Sequence, residues 1–133
     1  MAIKKVEHVG LMVKDLDTSI DFYTKVIGME CLGKLVHTNS AITLAFLGFA
    51  GSKETELELV QGYNDSLPEE GKVHHLAFAV DNLEEEIERL KQFDVAFIDA
   101  EITTLPNGSR YIFFKGPDGE WLELFESTRK NAF

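Results

Sequence analysis

The sequence predicts an α+β fold built from two similar βαβββ modules. The first indication is an internal repeat: VEHVGLMVKDL at residues 6–16 and VHHLAFAVDNL at 73–83 lie 67 positions apart and each place a histidine in an alternating apolar run. The second is that each copy is followed by an amphipathic helical pattern and then by several strand-like segments. One strand, one helix and three further strands are therefore expected twice in the same order.

In the first module, apolar residues at 9, 11 and 13 alternate with His8, Gly10 and Met12, which predicts a strand with one face packed under a helix. The helix follows because Leu16, Ile20, Tyr23 and Ile27 recur at helical spacing, and Asp15 or Asp17 is a suitable N-cap. Three more strands are expected at about 30–36, 41–50 and 54–61.

The second module repeats this order. Leu83, Ile87, Leu90 and Phe93 have helical spacing, and Asn82 with Glu85 forms a capping-box pattern. Strands are expected at about 95–99, 110–115 and 120–126, the last two joined by a tight turn at 116–119. We therefore predict one domain, residues 1–133, with repeats at 4–61 and 73–126 joined by a linker at 62–72.

Composition excludes several classes of function. The chain has 133 residues with 44% hydrophobic and 27% charged, typical of a globular domain, and its formal charge is −10 with a pI near 4.8. The negative electrostatic potential of such a protein repels nucleic acid and anionic membranes, so neither is expected as a partner. Cys31 is the single cysteine, which excludes an internal disulfide and a cysteine zinc cluster. With no secretory segment or membrane span expected, the sequence predicts a cytoplasmic protein.

Four residues in the repeats have the chemistry of metal ligands. His8 and His75 lie in the first strand of each module, and Glu58 and Glu123 recur in the last, on the face opposite to flanking leucines. Taken alone, a strand histidine or glutamate is usually hydrogen-bonded or solvent-facing. Their recurrence at equivalent positions is what favours a site, because imidazole nitrogens and carboxylate oxygens together suit a divalent first-row metal.

These residues occur within a wider resemblance. The stretch IDFYTKVIGM at 20–29, the pattern PDG-x-x-LEL at 117–124 and the LEL at 57–59 resemble the vicinal oxygen chelate superfamily, and within it bacterial glyoxalase I. The resemblance spans about residues 4–126 and implies that the modules curl into an incomplete barrel around a metal. It further implies the ligands His8, Glu58, His75 and Glu123, with nickel, cobalt or zinc expected and manganese or iron possible, in a homodimer whose sites are completed by both chains.

The resemblance also implies a reaction. A glyoxalase I of this kind, a lactoylglutathione lyase acting in methylglyoxal detoxification, isomerises the hemithioacetal of methylglyoxal and a low-molecular-weight thiol to an S-lactoyl thioester through an enediolate. By the family pattern, Glu123 is the base that moves the proton between neighbouring carbons, and Glu58 assists on the opposite face.

Two positions depart from the glutathione-using pattern. Those relatives carry an arginine where this chain has Met12, and commonly an asparagine where it has Gly62, so the substrate thiol stays open. Two other functions stay open as well. The phrase GKVHHLAF at 71–78 is similar to methylmalonyl-CoA epimerases, and some relatives bind small molecules without catalysis. Ring-cleaving dioxygenases and fosfomycin-modifying transferases use a single carboxylate ligand, and a fourth ligand at Glu58 argues against both.

Overall fold

The computed structural model describes residues 6–38, 40–52, 54–64, 66–68, 71 and 73–128. The chain divides into two compact units, residues 1–67 and 68–133, and each unit contains one of the predicted repeats. The division falls inside the predicted linker at 62–72, of which residues 65, 69, 70 and 72 lie outside the described part. Each unit is an open four-stranded sheet carrying one α-helix, which confirms the α+β prediction.

Unit 1 has the βαβββ order expected from the sequence. Its strands are β1 (His8–Val13), β2 (Glu30–Val36), β3 (Thr43–Gly48) and β4 (Glu56–Gln61), and its helix is α1 (Leu16–Phe22), continued by a π-helical turn at Tyr23–Ile27. The sheet order is β1-β4-β3-β2, with β1 parallel to β4 and the other pairs antiparallel. The first and last strands of the module are therefore direct neighbours, which brings their side chains together.

Unit 2 repeats this topology. Its elements are β5 (Leu76–Ala79), α2 (Leu83–Leu90) with a 3₁₀ turn at Lys91–Phe93, β6 (Thr103–Thr104), β7 (Arg110–Lys115) and β8 (Trp121–Glu126). The order is β5-β8-β7-β6, again with the first strand parallel to the last. Within the described residues no helix is long and apolar enough to cross a membrane.

The expected strand at 95–99 is wrong. Only Phe97 forms a bridge there, to Phe114 on β7, and the strand that pairs with β7 is the two-residue β6. The reason is Asp99, whose carboxylate accepts a hydrogen bond from the backbone N–H of Phe113 at 3.0 Å. A side chain thus takes the place of the carbonyl that a strand at 95–99 would have offered.

The apolar faces pack as the alternation predicts. In unit 1, α1 packs on β3 and β4, and the side chains with no exposed surface include Tyr23, Leu47 and Leu59. In unit 2, α2 packs on β8, and Phe114, Leu83, Leu90 and Leu122 are fully buried. The opposite faces of the first and last strands are left with the histidines and glutamates.

Both helices begin in the same way. Asp15 caps α1 by accepting from the N–H of Thr18 at 3.1 Å, and Asn82 caps α2 by accepting from Glu85 at 3.1 Å. The first N–H of each helix donates to the side chain at the end of the last strand of its unit: Leu16 to Gln61 at 2.6 Å, and Leu83 to Glu126 at 2.9 Å. This contact ties each helix to its sheet.

In unit 2 an arginine extends this contact. Arg110 on β7 donates to Glu126 at 2.8 Å and to Glu84 at 2.6 and 2.7 Å. Its guanidinium lowers the pKa of Glu84 to about 2, and the pKa of Glu126 is lowered by the Leu83 N–H and by Arg110. The charged carboxylates are thus favoured in the folded state.

Removal of Arg110 should therefore lower stability at neutral pH and make it depend less on acid pH. A carboxyl group with a lowered folded pKa stabilises above its ordinary pKa and loses that contribution as pH falls through the folded value. We expect Arg110→Gln to lower Tm by a few degrees at neutral pH and to flatten the decline of Tm between about pH 4.5 and 2. Thermal melts across that range test this. Lys25→Gln, which breaks an exposed ion pair to Asp21, is the control; an unchanged acid decline in Arg110→Gln would contradict the assignment.

Candidate metal centre

The first candidate pair lies in unit 1. Glu58 on β4 is in register with Gly10 on the parallel strand β1, and Nε2 of His8 lies 3.7 Å from Oε2 of Glu58. That separation is longer than a hydrogen bond. Phe46 on β3 is the partner of Glu58 on the other side and meets the His8 ring edge-on, with centroids 6.5 Å apart. A glycine at position 10 leaves the Glu58 carboxylate uncovered, since an added Cβ would lie 3.5 Å from its Oε1.

The second pair occupies the matching place in unit 2. Glu123 on β8 is in register with Ala77 on β5, and Nε2 of His75 lies 3.8 Å from Oε2 of Glu123. Phe113 on β7 is the neighbour of Glu123 on the other side, and its ring meets that of His75 edge-on at 5.1 Å. Each unit thus presents one imidazole nitrogen and one carboxylate oxygen beside a phenylalanine. His8 begins β1 as predicted, whereas His75 lies one residue before β5, just outside the strand in which it was expected.

The two carboxylates are buried to different depths. The side chain of Glu58 keeps 16% of its exposure and that of Glu123 only 8%. Burial, together with the charge of Asp99, raises the pKa of the Glu123 carboxyl. Among the described residues, no hydrogen-bond donor contacts the Glu123 carboxylate, although a buried carboxylate without a partner is costly. A bound cation would offset that cost.

The two histidines also have different surroundings, and their pKa values shift in opposite directions. The hydrogen bond to the Glu7 carboxylate is the main cause that raises the pKa of His8. Burial opposes this rise, and the charge of Glu58 adds to it by a smaller amount. For His75, burial lowers the pKa and the neighbouring His74 lowers it further. Since a metal binds neutral imidazole, His75 is the histidine more readily available as a ligand near neutral pH.

The four predicted ligands therefore fall as two pairs, His8 with Glu58 and His75 with Glu123, one in each unit. Over the described ranges, no three histidine, cysteine, aspartate or glutamate side chains gather into one cluster. The donor types fit a divalent first-row metal such as nickel, cobalt or zinc. A four-ligand centre stays a prediction.

Several residues beside the pairs escape a reading of the sequence alone. Phe46 and Phe113, like Glu7 and His74, stand 67 positions apart and make equivalent contacts in the two units. The repeat offset is the signal that could have identified them. No sequence pattern identifies Asp99 in this way, because its contact with Phe113 depends on the absence of the expected strand at 95–99.

The two positions that depart from the glutathione pattern have different surroundings. Met12 is 37% exposed and lies two residues beyond Gly10 on β1, in the alternation set of His8. Gly62 follows β4 with φ 96°, and a Cβ there would collide with the carbonyl oxygen of Ala41. An asparagine at position 62 therefore requires the backbone to move.

We expect Gly62→Ala to destabilise the protein by about 2–4 kcal/mol, because it combines a left-handed backbone with a collision against main chain. Urea unfolding measures this directly. Gly33→Ala is the matched control, since an added Cβ at position 33 meets nothing within 4 Å. Equal stability of the two variants would show that the Gly62 loop adapts freely.

Comparison with known proteins gives a consistent picture. Residues 5–124 match the model of the Glyoxalase/Bleomycin resistance protein/Dioxygenase superfamily. The chain is 51% identical to the uncharacterized protein YwbC of Bacillus subtilis (strain 168), over 92% of this chain and 98% of that protein. It is 35% identical to the lactoylglutathione lyase of Escherichia coli O157:H7, over 90% of both chains.

A solved structure is similar along nearly the same length. The trypanothione-dependent glyoxalase I of Leishmania major superposes with a TM-score of 0.76 and 31% sequence identity, covering 93% of this chain and 87% of that one.

Proposed function

The chain belongs to the Glyoxalase/Bleomycin resistance protein/Dioxygenase superfamily, and on that basis we propose that it is a metal-dependent glyoxalase I-like lyase. The observation that carries the proposal is the buried Glu123 carboxylate beside His75, repeated by Glu58 beside His8. The similarity to the lactoylglutathione lyase of Escherichia coli O157:H7, at 35% identity over 90% of the chain, supports the proposal. The proposed substrate is the hemithioacetal of methylglyoxal and a small thiol.

The donor set fits the metal that such a reaction requires. We propose that His8, Glu58, His75 and Glu123 hold one divalent ion, nickel, cobalt or zinc in the first instance, with manganese or iron also compatible. When bound, the metal would supply positive charge for the two adjacent substrate oxygens on which negative charge develops. Neutral imidazoles and ionised carboxylates are the protonation states that this role needs.

The proton transfer is assigned to Glu123. Its carboxylate takes the proton from the carbon that carries sulfur, which leaves an enediolate, and returns it to the neighbouring carbon. The substrate hydroxyl carbon becomes the thioester carbonyl and the former ketone becomes the secondary alcohol, so the isomerisation balances without a co-reactant. Glu58, on the equivalent strand of unit 1, is the proposed second base.

The split of the donors into two pairs bears on assembly. A single pair is too few ligands to hold a metal firmly in water, and we propose that two chains form a homodimer with shared centres. Each centre would take His8 and Glu58 from one chain and His75 and Glu123 from the other. We further propose that both modules act together as one domain over residues 1–133. The cytoplasmic location stays a prediction.

We propose that the substrate thiol lacks the carboxylate that glutathione would place near Met12. Met12 offers no cation for a substrate carboxylate, and Gly62 has no room for the asparagine of the glutathione pattern without a backbone shift. Glutathione is therefore expected to be a poorer partner for methylglyoxal than a neutral thiol.

An arginine at position 12 should change this preference. Because Met12 is partly exposed, Met12→Arg is expected to fold and to raise kcat/KM about tenfold for the glutathione hemithioacetal, through pairing with a carboxylate. A neutral thiol should gain nothing. Steady-state rates with both thiols measure the effect, and Met12→Leu controls for the loss of methionine. Equal changes for both thiols would contradict the role of position 12.

The test of the proposed function is thioester formation from methylglyoxal, followed by ultraviolet absorbance. Purified protein is loaded with nickel, cobalt or zinc, its metal content is measured, and a panel of thiols is supplied. We expect thioester to form with at least one thiol and one metal. Protein shown to hold metal that forms no thioester would overturn the lyase proposal. Uptake of solvent deuterium into methylmalonyl-CoA would then favour the epimerase function that the doubled histidine at 74–75 suggests.

A further inference from the structure

The geometry points to Glu7 and His74 as positioning residues that fix the tautomer of His8 and His75 and so direct Nε2 of each ring toward its glutamate. The inference rests on the proposed metal centre. It adds an outer contact for each histidine that no sequence motif indicated.

In unit 1 the two nitrogens of His8 have different neighbours. Nδ1 lies 3.0 Å from Oε1 of Glu7, within hydrogen-bond distance, whereas Nε2 faces Glu58 at 3.7 Å. A carboxylate accepts and cannot donate, so a neutral His8 ring in this contact carries its proton on Nδ1. Its Nε2 lone pair is then available on the side of Glu58.

In unit 2 an imidazole takes the place of the carboxylate. Nδ1 of His75 lies 2.9 Å from Nδ1 of His74, and Nε2 faces Glu123 at 3.8 Å. The His74 ring is held edge-on by Trp121, with centroids 5.0 Å apart, and by Phe113 at 6.3 Å. Two neutral rings that share this contact need one proton between their Nδ1 atoms. This proton is assigned to His75, with Nδ1 of His74 as the acceptor, which leaves the Nε2 lone pair of His75 toward Glu123.

The arrangement recurs because of chain geometry. Glu7 and His74 each immediately precede a histidine of the candidate site. Both lie before the first strand of their unit, since β1 begins at His8 and β5 at Leu76. Because side chains alternate between opposite faces only within a strand, a residue that precedes the strand can contact the histidine ring next to it in sequence. Glu7 keeps 73% of its side-chain exposure, and its effect is therefore expected on ring orientation rather than on folding stability.

Outer hydrogen bonds of this kind orient metal-binding histidines and tune their affinity. We expect Glu7→Ala and His74→Phe each to weaken zinc affinity about tenfold or more, measured by competition with a chromophoric chelator. Glu7→Gln and His74→Gln keep an acceptor and should stay near wild type. Phenylalanine preserves the ring that packs on Trp121. A loss of zinc affinity in His74→Phe that is absent in His74→Gln therefore identifies the nitrogen contact, and not the ring packing, as the cause.

The tautomers themselves are observable in metal-free protein. Nitrogen-15 NMR of the imidazoles, at a pH where the rings are neutral, should show the protons of His8 and His75 on Nδ1 and the proton of His74 on Nε2. In Glu7→Ala and His74→Phe, His8 and His75 should each lose that preference. A wild-type His8 or His75 ring with its proton on Nε2 would overturn the inference for that unit.

The outcomes separate this inference from the proposed function. Tautomers and zinc affinities that follow the pattern above support the positioning role even if no thioester is ever formed. Thioester formation with zinc affinity unaltered in both Glu7→Ala and His74→Phe would uphold the lyase and reject the positioning role.

Discussion

Glu123→Gln is expected to lower kcat for thioester formation by about 10²–10⁴-fold, the contribution typical of a positioned general base. The amide keeps the shape of the side chain but can neither accept the carbon-bound proton nor carry the charge that favours a metal. Because the carboxylate is buried without a described hydrogen-bond donor, its neutralisation should leave Tm unchanged or higher. Rates on protein of measured metal content, together with thermal melts, check both expectations.

Glu85→Gln supplies the matched control. It makes the same chemical change in the same unit, on the exposed first turn of α2, and should keep wild-type rate and metal content. Glu58→Gln is expected to fall between the two variants if its carboxylate serves as a ligand and as the secondary base. Full activity in Glu123→Gln would remove the central residue of the proposed mechanism.

Mixing two inactive variants is expected to restore activity if centres are shared between chains. His8→Ala and His75→Ala should each be inactive alone, since every centre lacks one ligand. In a mixed dimer, one centre lacks both histidines and the other is intact. Random exchange of chains should then recover roughly a quarter of wild-type activity. Thioester assays and metal content after co-refolding of the two variants measure this.

The matching control is a mixture of His8→Ala with Glu58→Ala. Both defects lie in unit 1, so every shared centre carries one of them and no activity should return. A monomer in solution, or a His8→Ala and His75→Ala mixture that stays inactive while exchange is demonstrated, would show that centres are not shared.

Much of the fold could be predicted because it depends on local rules. The repeat offset and the alternation at 8–13 give the first strand of each module, and Asn82 marks the start of α2. Strand β2 and strand β7 have the expected bounds, Glu30–Val36 and Arg110–Lys115. Parity placed each glutamate opposite to the leucines that flank it. These features involve residues close in sequence, so composition and spacing are enough to determine them.

The sequence by itself also determined the four candidate residues, whereas their division into two pairs follows from the strand order. Once a module has its first and last strands side by side, alternation puts His8 near Glu58 and His75 near Glu123. Only the tertiary structure decided the contacts between distant segments. It showed the carboxylate of Asp99 in place of a strand, the collision of position 62 with Ala41, and the deeper burial of Glu123 than of Glu58. These depend on where remote backbone comes to lie, which a period of two or 3.6 residues does not encode.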